Sequence, residues 1–192
     1  MSLPRFNALA ALSRPPALAL CRSQLSRLLL SAFLLAGQTP SVFAQSTDGP
    51  ASASAVQKLW ASSLPDATGA NQALARYRGK PVVVNFWASW CAPCVQEMPA
   101  LSALSQQYAP KSIQFIGIGV DTAANIATFL NKVPVKYPVY VAGFGGADIS
   151  RNLGDAAGGL PFTVVIDRTG VVRYSKLGKV DEAELKQVLG SL

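Results

Sequence analysis

Cys91 and Cys94, separated by Ala92 and Pro93, are the side chains of this chain best suited to covalent chemistry. A thiol reacts as its thiolate, so what matters is whether the surroundings favour the anion. The pair follows the apolar, β-branched run Val82-Val83-Val84-Asn85-Phe86-Trp87, which has the composition of a strand buried on both faces. It precedes Val95-Gln96-Glu97-Met98-Pro99-Ala100-Leu101, which reads as helix. The spacing predicts a helix from Cys91 to Tyr108, with Val95, Met98, Leu101, Leu104 and Tyr108 on one stripe and a kink at Pro99. The thiols therefore stand where a strand hands over to a helix N-terminus. Unpaired N–H groups and the positive end of the helix dipole both stabilise a thiolate there. Such a pair is suited to reversible disulfide exchange.

Four other uses are weaker. A zinc site needs four ligands, yet the chain has no His and only one further Cys, Cys21. A purely structural bridge across so short a loop removes little chain entropy and makes a poor staple. A peroxidatic cysteine would want Thr or Ser three positions earlier, and Ala88 stands there. A haem or metal carrier lacks the His it would use, and Met98 reads as core.

The elements around the pair follow from patterning. Ile113 to Val120 is a second core strand, and Asn125 to Lys132 a crossover helix carrying Ile126, Phe129 and Leu130. Tyr137 to Val141 is a short extended piece, and Ile149 to Leu153 a brief helix ended by Gly154. Phe162–Ile166 and Val171–Lys176 flank Asp167-Arg168-Thr169-Gly170, a hairpin with a glycine-terminated turn. Asp181 to Glu184 has capping-box form and opens a last helix to Leu189. Upstream, Val56 to Trp60 reads as a helical turn, Leu64 to Gly69 as an edge strand and turn, and Asn71 to Tyr77 as loop or short helix. This order gives an α/β domain: a central mixed sheet with helices on both faces.

The chain has 192 residues, a net charge of +7 and 50% hydrophobic residues, enough for one domain with a substantial core. The charge is uneven. Residues 1–44 carry Arg5, Arg14, Arg22 and Arg27 and no acid, hence +4 of the total. No basic block with interleaved aromatics is present, which argues against a nucleic-acid partner. The same 44 residues have the form of a targeting segment. A basic n-region precedes the apolar core Leu28 to Gly37, and Ser41-Val42-Phe43-Ala44 suits cleavage before Gln45. The apolar run falls short of the roughly 20 residues a membrane span needs. The expectation is an exported, periplasmic protein, or a membrane-anchored one if the leader stays. An oxidising compartment of that kind is where disulfides persist. Gln45 to residue 55 is rich in Ser, Ala, Gly and Pro and reads as a flexible linker, so the domain is expected over 56–192.

Asn85-Phe86-Trp87-Ala88-Ser89-Trp90-Cys91-Ala92-Pro93-Cys94, with Gly159-Leu160-Pro161-Phe162-Thr163, resembles the thioredoxin superfamily. Within it, the run from Gly79 through Glu97-Met98-Pro99, and Val165 to Gly170, resemble the TlpA/ResA-like exported thiol–disulfide oxidoreductases. The resemblance implies a thioredoxin-like fold and a protein-disulfide reductase without metal or organic cofactor. It implies Cys91 as attacking thiolate, Cys94 as resolving thiol and Pro161 as a cis-proline holding the substrate strand. Glu97 matches a residue associated with proton transfer beside the cysteines; a first-turn Glu stabilised by the helix dipole is the other reading. Trp90 and Leu160 are placed as substrate-facing, while Trp87 reads as core. Two departures from thioredoxin are Asn85, where a buried Asp stands, and Gly117, near the place of a buried Lys. The implied partners are disulfide-containing proteins and a membrane thiol-transfer electron donor, with the chain acting as a monomer. A dedicated cytochrome c maturation role is the nearest alternative.

Overall fold

In the computed structural model, residues 53–192 are described. The expected leader, Cys21 and the first positions of the expected linker lie outside them. The chain enters through helix α1 (Ala53–Ala61), which begins inside the stretch read as linker. Ala55, Val56, Leu59 and Trp60 are buried along one face of α1. Burying each of the larger ones is worth about 1.5–3 kcal/mol, which accounts for helix where the composition suggested coil.

Strands β1 (Ser63–Pro65) and β2 (Asn71–Ala73) form a small antiparallel hairpin. Asp66 organises its turn, accepting hydrogen bonds from the Thr68 N–H and hydroxyl and from the Ala70 N–H. The loop reading of Asn71 to Ala73 gives way here, because strands of three residues leave no usable period.

The main sheet has the order β5-β4-β3-β6-β7. Strands β3 (Val82–Trp87), β4 (Gln114–Gly119) and β5 (Val139–Val141) run parallel, while β6 (Phe162–Ile166) and β7 (Val172–Leu177) are antiparallel additions. Every residue of β3 is buried, as befits a central strand covered on both faces. Its alternation sorts the core into two layers. Val83 and Trp87 face helix α2 (Ala92–Tyr108), helix α3 (Ala123–Lys132) and helix α5 (Glu182–Gly190) through Met98, Leu101, Ile126 and Leu185. Val82, Val84 and Phe86 face α1 and the segment after helix α4 (Gly146–Asn152), through Val56, Leu59 and Leu153.

Gly119 of β4 allows α3 to lie close: a Cβ there would collide with Ile126 Cδ1. Thr122 caps α3, its hydroxyl accepting from the Asn125 N–H at 3.2 Å, and Asp181 caps α5 by accepting from the Glu184 N–H at 2.9 Å. The Asp167 carboxylate closes the β6–β7 turn, accepting from Thr169, Val171 and Arg173. The parallel strands all end at one edge of the sheet, and β6 begins there. Phe86 pairs with Phe162, so the residues just before β6 lie beside the turn that follows β3. Connections at the carboxyl ends of parallel strands are where such folds build their sites.

Candidate active site

β3 ends at Trp87, and four residues later Cys91 caps α2. Cys91 has extended backbone angles (φ −89°, ψ 100°), and its sulfur accepts from the Cys94 N–H at 3.3 Å. Pro93 occupies the second helical position, where a missing N–H costs nothing. The helix thus starts one residue later than the sequence pattern predicts, and Cys91 takes the cap itself. The two sulfurs form a disulfide, with 5.3 Å between the Cα atoms. The sulfurs are not equivalent: Cys91 retains 6% exposure, and Cys94 has none. Trp90 beside them is 65% exposed, whereas Trp87 is buried against Phe129, with ring centroids 5.1 Å apart.

Two buried aspartates, neither singled out by the sequence pattern, brace the loops of the site. Asp121, directly after β4, accepts from the Ser89 N–H (3.1 Å) and hydroxyl (2.6 Å) with one oxygen. Its other oxygen accepts from Thr122 and Asn125. Burial pushes its carboxyl up, but these hydrogen bonds outweigh that and hold it below the usual range. The turn leading into Cys91 is thereby tied to β4. Asp155 does the same for the opposite loop, accepting from Ser150 and from the Gly159 N–H. The following Leu160–Pro161 peptide is cis. Leu160 is half-buried and Pro161 buried, at the sheet end where the Ala88–Cys91 turn lies.

Glu97 departs from the first-turn reading. It is the sixth residue of α2, beyond the reach of the dipole, and it points into the core with 1% exposure. It lies one turn beyond Cys94 on the same buried side of the helix. One carboxylate oxygen accepts from Asn85 Nδ2 at 2.7 Å, and the other from the Val180 N–H at 3.0 Å. Asn85 Nδ2 also donates to the Thr163 hydroxyl at 2.9 Å. Burial raises the Glu97 carboxyl above its ordinary value, opposed by the Val180 and Asn85 hydrogen bonds and by the Lys179 charge. Burial so placed favours the protonated carboxyl one turn from Cys94, a position suited to acid–base exchange.

Three buried polar atoms on the described residues have no partner: Asn85 Oδ1, Trp87 Nε1 and the Tyr137 hydroxyl. Gly117 pairs with Asn85 across β3 and β4, and a Cβ there would lie 3.1 Å from both Trp87 Nε1 and a Tyr137 ring carbon. No longer side chain fits, so the cation of thioredoxin has no room here. Chemically, the arrangement offers a sulfur with slight residual exposure beside the exposed Trp90, a sealed partner sulfur and a buried carboxyl one turn away. That set is complete for thiol–disulfide exchange.

Comparison with known proteins agrees with this geometry. The family model described as Redoxin matches residues 45–189. The thiol-disulfide oxidoreductase ResA of Geobacillus thermodenitrificans is 30% identical over 132 residues, covering 67% of this chain and 72% of the relative. The thioredoxin-like protein YneN of Bacillus subtilis is also 30% identical over 132 residues, covering 66% and 74%. Among solved structures, a Chlorobium tepidum protein assigned as the thiol:disulfide interchange protein DsbE is 30% identical. It covers 68% of this chain and 91% of its own, with a TM-score of 0.62. A DsbF homologue from Corynebacterium diphtheriae, 30% identical, covers 68% and 83% with a TM-score of 0.59.

Proposed function

Since the chain belongs to the Redoxin family and is a thiol–disulfide oxidoreductase of the ResA/DsbE type, we propose that it is an exported reductase of disulfides in cell-envelope proteins. The observation that carries the assignment of roles is the asymmetry of the two sulfurs. Cys91 is the one that keeps a small exposure, capping a helix and accepting the Cys94 N–H, while Cys94 has none.

In the reduced protein, the Cys91 thiolate attacks one sulfur of a substrate disulfide. The substrate S–S bond breaks, one substrate thiolate leaves, and a mixed disulfide forms. Cys94 then gives its proton to the Glu97 carboxylate and attacks the Cys91 sulfur. The second substrate thiolate leaves, and the Cys91–Cys94 disulfide remains. Two electrons have passed to the substrate. A membrane thiol-transfer protein with its own dithiol returns them, and Glu97 gives the proton back. Trp90 and the Leu160–Pro161 edge receive the substrate chain around the Cys91 sulfur. The leader-like residues 1–44 support an extracytoplasmic setting, where substrate disulfides exist. Among the described residues no helix is long and apolar enough to cross a membrane.

Cys91→Ser is expected to abolish insulin reduction; retained activity would overturn the assignment of the nucleophile. Cys94→Ser is expected to accumulate mixed disulfides with the natural substrates. Their identity separates a general envelope reductase from a factor dedicated to cytochrome c maturation: a trap holding only apocytochrome c decides for the second.

A further inference from the structure

Glu97 is buried, yet it borders open space. A cleft of about 260 Å³ lies between α2 and the turn that joins β7 to α5. Gln96, Ala100 and Leu104 form its α2 wall, and Lys179, Val180 and Asp181 the other, with Glu97 at the seam. The Val180 N–H that lines this cleft is the one held by the Glu97 carboxylate. Neither Trp90, Cys91, Leu160 nor Pro161 borders it.

We propose that this cleft is the proton port of the site, through which the Glu97 carboxyl exchanges its proton with solvent while a substrate covers Cys91. The proposal rests on the reading of Glu97 as the acid–base group of Cys94. The need for such a route follows from the order of events. Cys94 loses its proton while the mixed disulfide is intact, so the substrate still covers Cys91. On the sheet side Glu97 meets Asn85, and beyond it Trp87 and Tyr137 are buried with unpartnered polar atoms, which gives no exit to solvent. On the α2–Val180 side Glu97 borders the cleft, whose lining includes Gln96, Lys179 and Asp181. The balance is simple: the Cys94 proton goes to the Glu97 carboxylate, then from the carboxyl to water in the cleft. Reduction by the dithiol donor runs the same path inward.

The groups that bear on Glu97 can be named element by element. Cys94 stands one turn earlier on α2. Asn85 faces it from β3 without charge, and Tyr137 acts on it from the segment before β5. Tyr174 acts from β7, Lys179 and Asp181 stand on the turn, and Glu182 opens α5. Lys179 is the cation at the mouth and favours the ionised carboxylate.

Two variants test the port in the purified protein, with glutathione disulfide as oxidant. Ala100→Phe fills the cleft. It is expected to slow closure of the Cys91–Cys94 disulfide in single turnover by about tenfold or more, with a larger solvent deuterium isotope effect and an unchanged midpoint potential. Closure at the wild-type rate overturns the port. Lys179→Met removes the mouth cation and is expected to move the inflection of the potential–pH curve upward. If Ala100→Phe fails to fold, Ala100→Leu repeats the measurement with a smaller plug, and closure at the wild-type rate overturns the port. Glu97→Gln is the control: an inflection that survives it shows that Glu97 is not the acid–base group, so the underlying reading fails rather than the route.

Discussion

Asn85 donates its amide N–H to Glu97 at 2.7 Å and keeps its own carbonyl oxygen buried without a partner. The pairing suits an ionised carboxylate. For a neutral carboxyl, rotating the Asn85 amide would bring that unused oxygen round to accept the acid proton. Asn85 cannot titrate, so it can serve both states of Glu97 without competing for the proton. Where thioredoxin sets an acid on the strand, this chain sets the acid on the helix and a two-faced amide opposite.

The first prediction concerns stability against pH. Burial raises the Glu97 carboxyl from its ordinary value of 4.5, so the folded state favours the neutral form. That contribution is fully present below the unfolded value and is lost as pH rises through the raised folded value. Glu97→Gln stays neutral throughout. Chemical denaturation of the oxidised proteins from acid to alkaline pH should show wild type losing stability relative to the variant as pH rises. The opposite slope would contradict the burial.

Asp121 predicts the reverse sign. Its carboxyl is held down in the fold, so its contribution is present above the unfolded value of 3.8 and is lost as pH falls. Asp121→Ala removes the acceptor of Ser89, Thr122 and Asn125 and leaves their part-buried donors to water. A loss of about 1–2 kcal/mol is expected in denaturant titrations at neutral pH. The freed turn should also slow disulfide exchange at Cys91, read by insulin reduction.

Gly117→Ala tests the packing that excludes a side chain beneath the site. The added methyl meets Trp87, Tyr137 and Val139 at 3.1 to 3.4 Å. Overpacking of this kind costs about 1–3 kcal/mol. Thermal melting should show the loss, and Gly117→Lys should fail to reach the native fold.

Trp90→Ala should separate binding from stability. The ring is 65% exposed, so its removal should leave the melting temperature near wild type. If it packs on the substrate chain as a single aromatic anchor, kcat/KM for insulin should fall about tenfold. An unchanged kcat/KM would remove Trp90 from the docking surface.

Much of this molecule can be read locally. β3 is legible because it is apolar on both faces, α2 because its buried residues recur at helical spacing, and the β6–β7 hairpin because Asp167 to Gly170 is turn chemistry. Less legible are α1 and the β1–β2 hairpin. Their sequences are weakly patterned, and they form because Val56, Leu59 and Trp60 find a sheet face to cover and Asp66 finds donors for its turn. Asp121 and Asp155 were invisible as site residues, since an isolated Asp after a strand or helix looks like any surface acid until its partners arrive.

By itself the sequence determined the reactive pair, its spacing and its perch at a strand-to-helix junction. These are properties of a few consecutive residues: helix geometry alone brings an N-cap and the residue three further on together. Only the tertiary structure decided the surroundings of that pair. The N–H that Glu97 accepts comes from Val180, 83 positions away, and the turn before Cys91 is held by Asp121, 32 positions away. Such partners are chosen by which elements the sheet order brings side by side, and no local pattern of residues carries that information.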